Sequence, residues 1–360
     1  MSQQIIPRVN AARDDMGEYM NLTRVAEHLR GERAGDLTRA MEARGIRAQE
    51  VLSTSDFAYM ADTIDRGLKA GYMNEEFPVT YPTIGWRRDS RTFEDAKDVE
   101  INAARLVPRV AQGGEYLPNE PAASEYEFTM NKYGWSYALT WEAWLRDQRD
   151  LRALVGYPES WGLSVRYTRE YQFTSTFVAN ATLYTGGQGN SGTAALDDAA
   201  LIAGMTWLRS GTTDPAGNAA PYMGPIHLVV PPALEYTAKA LVNSTLLVGS
   251  TSQPANNPMY GAASVLVNHM LPVLDETNGD TAWYLFAAPA LRPAVRYGFL
   301  MGFEAPEVWI RESDARRLLA GGDDPFDGTF DADSIEYKLR FTFGANLVDY
   351  RGSYYSTGAA

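Results

Sequence analysis

A glycine triplet is the first arrangement in this chain that could do chemistry. Gly187-Gln-Gly189-Asn-Ser-Gly192 has the G-x-G-x-x-G spacing of a dinucleotide site, and Asp214 follows where a ribose-binding acid would stand. Such a loop works only between a strand and a helix, where backbone amides converge on a pyrophosphate. The residues before it read as helix, so a connecting loop is expected, and an NAD-dependent α/β oxidoreductase is the catalytic alternative. Asp323, Asp324, Asp327, Asp331 and Asp333 offer oxygen ligands for calcium. Pro325 breaks the EF-hand frame, however, and Ser334 stands where a bidentate Glu is needed. The chain has no Cys and only His28, His227 and His269, so thiolate chemistry and most imidazole and zinc chemistry lack parts. His227 and His269 fall on apolar strand patterns and are expected to be hydrogen-bonded core residues. Glu75 and Glu76 are neighbours in sequence, which does not supply the facing geometry of an acid–base pair. No phosphate-cradling G-x-x-x-x-G-K-S/T loop is present. The expectation is a protein with no catalytic, cofactor or metal site.

The elements that would position any site must come from several lobes, because 360 residues exceed the size of one ordinary core. The start, MSQQIIPRVNAARDD, has no apolar signal-like stretch, and no run approaches the ~18 apolar residues of a membrane span. A protein made and kept in the cytoplasm, without a membrane partner, is expected. The net charge of −13 argues against wrapping nucleic acid directly, which needs clustered Lys and Arg. Much of that charge is local: Glu304 to Glu336 holds ten acids against Arg311, Arg316 and Arg317.

Residues 12–50 are charged and helix-prone, and Gly31 and Gly35 divide them into two short helices. From Pro82 to Trp141 the pattern turns extended, with alternation at Tyr126, Phe128 and Met130. A two-stranded ribbon so poor in core residues is marginal alone. An exposed Trp86 and the charges Arg87, Arg88, Asp89, Arg91, Glu94 and Asp95 therefore call for burial against another subunit. Thr140 suits the N-cap of a short helix, and Pro158 and Ser160 open a long one to Tyr184. Its buried stripe is read as Leu163, Tyr167, Tyr171, Thr174 and Val178, with Arg166, Arg169, Glu170 and Gln172 off it. Residues 195–305 read as an α/β lobe: a helix from Asp197-Asp198 to about Leu208, a loop from Gly211 to Gly224, and a strand from Ile226 closed by Pro231-Pro232. A helix with Leu234, Ala238 and Leu241 buried follows, then a strand over Ser264 to Leu274, and the strand WYLFA. Last come two segments expected to pair, Phe286 to Asp314 and Phe330 to Gly352. In the second, Ile335, Tyr337, Leu339, Phe341 and Phe343 alternate with polar residues until Gly344 ends the run.

This order resembles the major capsid protein of tailed bacteriophages, the shell subunit of the Hong Kong 97 fold, over roughly residues 80–352. The resemblance rests on the two C-terminal segments, on KYGWSYALTWEAWLRDQ leading into a long helix, and on a strand ending in VPP that precedes WYLFA. It implies an α+β fold with an N-terminal arm (1–81), an extended β-hairpin loop (82–130), a peripheral domain with a long spine helix (131–194 and 306–360) and an axial domain (195–305). It also implies a structural, non-enzymatic protein that self-assembles into hexamers and pentamers of an icosahedral shell enclosing double-stranded DNA, located in the virion capsid. Expected partners are further copies of itself, a portal protein, a scaffold, and a maturation protease or decoration protein. Contacts between subunits are placed at Trp86, Arg87, Arg88, Arg91, Glu94, Lys97, Arg105 and Arg109. Some family members weld neighbours through a loop Lys and an Asn. Lys97 is the only Lys of the ribbon, and with five Lys in the chain non-covalent locking is expected. An encapsulin-like compartment enclosing an enzyme cargo is the alternative shell.

Overall fold

The computed structural model describes residues 68, 70–73, 77–101, 109–110, 112–116, 123–140, 152–184, 187–213, 219–245, 256–311 and 334–359. The N-terminal helices, Glu75-Glu76, Arg105, the short helix after Thr140, Asp214 and the acidic run Asp323–Asp333 lie outside these residues. The chain forms two compact units. One comprises Met1–Met73, Trp135–Gly162 and Val308–Leu339, the other Asn74–Gly134, Leu163–Glu307 and Arg340–Ala360.

In chain order the elements are α1 (Tyr81–Ile84), β1 (Trp86–Arg87), β2 (Ala96–Ile101), β3 (Ala123–Phe128), β4 (Asn131–Thr140), α2 (Arg152–Phe177), β5 (Ser191–Gly192), α3 (Asp198–Ser210), β6 (Ile226–Val230), α4 (Glu235–Asn243), β7 (Ser264–Val267), α5 (Leu271–Leu274), β8 (Trp283–Ala287), β9 (Val295–Gly298), β10 (Glu307–Arg311), β11 (Ser334–Leu347) and β12 (Ser353–Ser356). One mixed sheet runs β5-β12-β8-β6-β7. Its faces alternate as strand geometry requires. Leu228, Val230, Trp283 and Leu285 pack toward α3 and α4, whereas Val229, Tyr284, Phe286 and Tyr355 pack toward Phe173 and Phe177 of α2. Cover on both sides explains why WYLFA is apolar throughout instead of alternating. α3 starts where its cap demands: the Asp197 carboxylate accepts from the Ala200 amide at 2.7 Å.

The second sheet has the order β1-β9-β11-β10, with β4 also pairing β11. The two C-terminal segments do pair. β9 runs antiparallel to β11 from Gly344↔Gly298 to Leu347↔Val295, and β10, from the same segment, also joins β11. Tyr337, Leu339, Phe341 and Phe343 are buried as the alternation requires, and Glu336 and Lys338 are exposed. Thr342 departs from the pattern. It is buried because its hydroxyl donates to the Phe303 carbonyl and accepts from the Leu300 amide. On the polar face Arg340 pairs with Glu307 at 2.6 Å, Lys338 lies 5.4 Å from the Trp309 ring centroid, and Arg311 meets Glu336 at 3.6 Å.

Six local expectations are corrected. His269, expected in the core on a strand, is exposed in the turn after β7. Gly344 does not end β11; the strand runs on to Leu347 because β9 supplies a partner there. The strand expected over Ser264 to Leu274 stops at Val267, and Pro272 sits in the first turn of α5, the position a proline suits. The long helix starts at Arg152, passes through Pro158 and ends at Phe177, so the proline lies inside it. Its buried face is Trp161, Val165, Arg169, Phe173 and Phe177, a row of i+4 steps, whereas Tyr167, assigned to the core, is 42% exposed. In α4 the fully buried residues are Ala238 and Val242, and Leu234 and Leu241 only flank them.

Candidate functional site

Rotation of the α2 face brings Arg169 and Glu170 inside, at 0% and 1% exposure. A charge there is costly unless paired and hydrogen-bonded. Arg169 donates to the Glu304 carbonyl at 2.8 Å, and its guanidinium stacks 4.6 Å from the Phe299 centroid and 5.6 Å from that of Phe341. Glu170 is met by four donors. Its Oε2 accepts from the Thr80 and Tyr81 amides at 2.9 and 3.3 Å, and its Oε1 accepts from the Thr80 hydroxyl and from Asn268 Nδ2 at 3.0 Å. Asn268 also donates to Thr174 Oγ1 at 2.9 Å, and its Oδ1 accepts from the Met270 amide. Arg166, one turn earlier, donates to the Phe77 carbonyl at 2.7 Å, and Tyr167 packs on the Phe77 ring. Residues 77–81 are thus strapped to α2 by one turn of its side chains, and the end of β7 is tied to the same carboxylate.

Burial pushes the Glu170 carboxyl above its ordinary range, against the pull of the Thr80 and Tyr81 donors and of Arg166. With all its lone-pair positions taken, it works as a fastener and leaves no oxygen free for a substrate. The tyrosines Tyr184, Tyr284 and Tyr355 stack nearby, and burial drives the hydroxyls of Tyr184 and Tyr284 far above their ordinary value, away from acid–base work at neutral pH. A second buried pair, Asp349 and Arg351 at 2.6 Å, closes the turn before β12, and Arg351 reaches the Thr213 carbonyl.

His227 is half-buried on β6, where its Nδ1 lies 2.6 Å from Ser264 Oγ, the residue opposite it on β7. Desolvation lowers its pKa from 6.5. The folded state therefore binds this proton less readily than the unfolded chain, so the contribution is complete above pH 6.5 and is lost as pH falls below it. Urea midpoints of wild type and His227→Gln, followed downward from pH 7.5, are expected to diverge by a smaller acid loss in the variant; parallel curves would refute this assignment.

The glycine triplet leads from the turn after α2 into the two-residue strand β5, not from a strand into a helix, so no amide nest for a pyrophosphate forms. Among the described residues no group of His, Cys, Asp and Glu is placed to hold a metal, and no helix is long and apolar enough to cross a membrane.

Of the residues expected at subunit contacts, Trp86, Arg87, Arg88, Arg91, Glu94, Lys97 and Arg109 are described. Trp86 is half-buried, not exposed, since β1 pairs in parallel with β9 (Trp86↔Arg296), and the Arg88 guanidinium lies 5.5 Å from its ring centroid. Arg87 contacts Asp89 at 2.8 Å and Glu304 at 3.9 Å and lies over Phe299, and the Asp89 hydrogen bond is the main cause of its raised pKa. Arg91, Glu94 and Arg109 are exposed. Lys97 pairs with Glu125 across the β2–β3 ribbon at 3.3 Å. That ribbon is a separate two-stranded antiparallel sheet, with register from Ala96↔Phe128 to Ile101↔Ala123.

Nothing in the sequence singles out the buried polar residues Thr80, Asn268, Asp349 and Arg351, and Glu170 reads there as lying off the buried stripe, whereas it is 1% exposed. One signal was available: Trp161, Val165, Phe173 and Phe177 fall four residues apart with Arg169 in the vacant step, which is the buried row.

Three comparisons with known proteins bear on this architecture. Curated protein sequences yield no match. Solved structures of similar shape include the capsid of cyanophage P-SCSP1u (10% identity, covering 77% of this chain and 87% of that one, TM-score 0.48), Mycobacterium phage Che8 (12%, 80% and 95%, 0.47) and a virus-like particle from Pyrococcus furiosus (11%, 82% and 98%, 0.42). The family model described as phage capsid protein matches residues 125–356, from within β3 through β12, and so α2 and every strand of the two larger sheets except β1. The chain belongs to the phage capsid protein family and is a structural protein of the α+β class, a major capsid subunit of the virion shell.

Proposed function

We propose that this chain assembles in the host cytoplasm into hexamers and pentamers of an icosahedral shell enclosing double-stranded DNA, with the β2–β3 ribbon lying over a neighbouring subunit. In that reading residues 195–305, with β6, β7 and β8, serve as the axial domain, and residues 131–194 and 306–360, with α2 and β11, serve as the peripheral domain, which lends β5 and β12 to the axial sheet. The observation that carries it, beside family membership, is the ribbon. Among the described residues the ribbon is a sheet of two strands, which is marginal alone, and Phe93 at its base and Tyr116 in the segment joining its strands are exposed. Arg91, Glu94, Lys97 and Arg109 provide a polar rim of both signs for a neighbour. A portal protein, a scaffold, and a maturation protease or decoration protein are the further partners proposed. The net charge of −13 suits a container that holds DNA without adhering to it.

Negative-stain electron microscopy with light scattering on the purified chain tests this. Closed shells or capsomer rings are expected, and replacing residues 97–127 by a short Gly-Ser linker, which keeps Phe128 in the body, is expected to abolish them while leaving a folded subunit. Shells that form equally well without the ribbon would overturn its assigned role.

A further inference from the structure

One aromatic side chain of the ribbon is seated in the body. Phe128 closes β3 and pairs with Ala96, yet it is 1% exposed and belongs to the interior of the body. Its ring sits where two glycines face each other across β9 and β11, Gly298↔Gly344. A Cβ on Gly344 would stand 2.8 Å from the ring and 2.6 Å from the Thr129 carbonyl oxygen, and one on Gly298 would meet the Arg88 carbonyl oxygen at 2.2 Å and the ring at 3.3 Å. Both positions need glycine because backbone and ring approach too closely for any side chain. Over the ring lies the Arg296 guanidinium, 3.6 Å from the centroid, and the same Arg donates to the Arg88 carbonyl at 3.1 Å. Both feet of the ribbon are held around this socket. On one side Ser90 bridges Leu300, and Phe299 N donates to Asp89. On the other Asn346 donates to the Glu127 carbonyl, and Thr129 donates to Asp95 at 2.7 Å.

We propose that Phe128 is the positioning residue of the ribbon: its ring, seated between Gly298 and Gly344 beneath Arg296, sets the direction in which β2 and β3 leave the body. A close-packed aromatic socket has one seated state, so the ribbon cannot pivot at its base without withdrawing the ring. The consequence for assembly rests on the reading that the ribbon meets a neighbour: the socket then sets the angle of that contact, and flexing is confined to the ribbon beyond Ala96 and Phe128.

Because the chain has no Cys, spin labels can be placed cleanly. One pair, Lys97→Cys with Ser175→Cys, spans ribbon and body; a second, Ser175→Cys with Thr206→Cys, lies within the body, and all three sites are exposed. Labelled full-length chain, diluted into unlabelled chain if shells form, is read by pulsed electron paramagnetic resonance. The wild-type background is expected to give one narrow ribbon-to-body distance. Phe128→Ala and Gly344→Ala are expected to lose that narrow peak while the within-body distance stays unchanged, and Phe128→Leu is expected to restore it in part. A narrow, unshifted ribbon distance in both variants overturns the proposal. If Phe128→Ala disturbs the within-body distance as well, Gly344→Ala and Arg296→Met, which keep the Phe128 side chain, decide the question by the same criterion. A wild-type chain with a narrow ribbon distance that forms neither shells nor rings would sink the assembly reading and leave the socket standing.

Discussion

Glu170→Ala is expected to destabilise the subunit by ~2–5 kcal/mol, since it leaves the Thr80 and Tyr81 amides as buried donors without an acceptor, each costing about 1–3 kcal/mol. The Asn268 NH2 keeps acceptors in the Thr80 and Thr174 hydroxyl oxygens, which keeps the total below four full losses. Glu170→Gln is the informative companion. Its carbonyl still accepts from the two backbone amides, but its NH2 group faces the NH2 of Asn268, so a smaller loss, on the order of 1 kcal/mol, is expected. The two residues also differ in their response to pH. Glu170 has a folded-state pKa raised by burial, so the folded chain holds this proton more readily than the unfolded chain. Its contribution is complete below the ordinary glutamate value and is lost as pH rises through the folded one. Urea midpoints of wild type and Glu170→Gln between pH 7.5 and 4.5 are expected to show wild type gaining on the variant as pH falls. Equal slopes would remove Glu170 as the titrating group. A negligible cost for Glu170→Ala would mean that residues 77–81 are held by Phe77 and Tyr81 packing alone.

Asp349→Ala is expected to be as severe, ~3–5 kcal/mol, the usual consequence of removing one partner of a buried ion pair. Both side chains are at or below 5% exposure, so Arg351 would keep its charge without the carboxylate, and the turn would lose the acceptor of the Arg351 amide. The turn leads directly into β12, which pairs with β8 and β5. Protection of the Ser353–Ser356 amides in hydrogen exchange should therefore fall further than that of β6. The double variant Asp349→Ala with Arg351→Met is expected to recover part of the loss, because no uncompensated charge remains. If the double variant is no more stable than the single one, the pair contributes through packing instead of charge.

Legibility varied with the type of pattern. Period two in β11 was readable because one strand face is apolar and the other charged, so Tyr337 to Phe343 declared their side. WYLFA was readable as a strand from its aromatics, and Asp197 as a helix start from its carboxylate. The α2 face was misread because Arg169 and Glu170 look like solvent residues. Nothing local says that Phe299 and Phe341 will flank one, or that Thr80 and Asn268, separated from Glu170 by 90 and 98 positions, will arrive as donors. β12 was not anticipated, since Ser-Tyr-Tyr-Ser is too short and polar to announce a strand without β8 beside it. Gly344 looked like a terminator because glycine weakens a strand, and only the Phe128 ring shows why it is needed inside one.

The lack of Cys and the scarcity of His by themselves exclude thiolate chemistry and leave most zinc chemistry without parts, the order of segments carries the resemblance to the capsid family, and the sequence match over residues 125–356 shows that family. Those properties are local or cumulative, carried by residue types, period and succession. The tertiary structure alone decided which charges are buried, which glycines admit a ring and which carboxylates have partners. Each of those depends on groups far apart in the chain meeting at hydrogen-bond distance, and no sequence window contains both sides of such a contact.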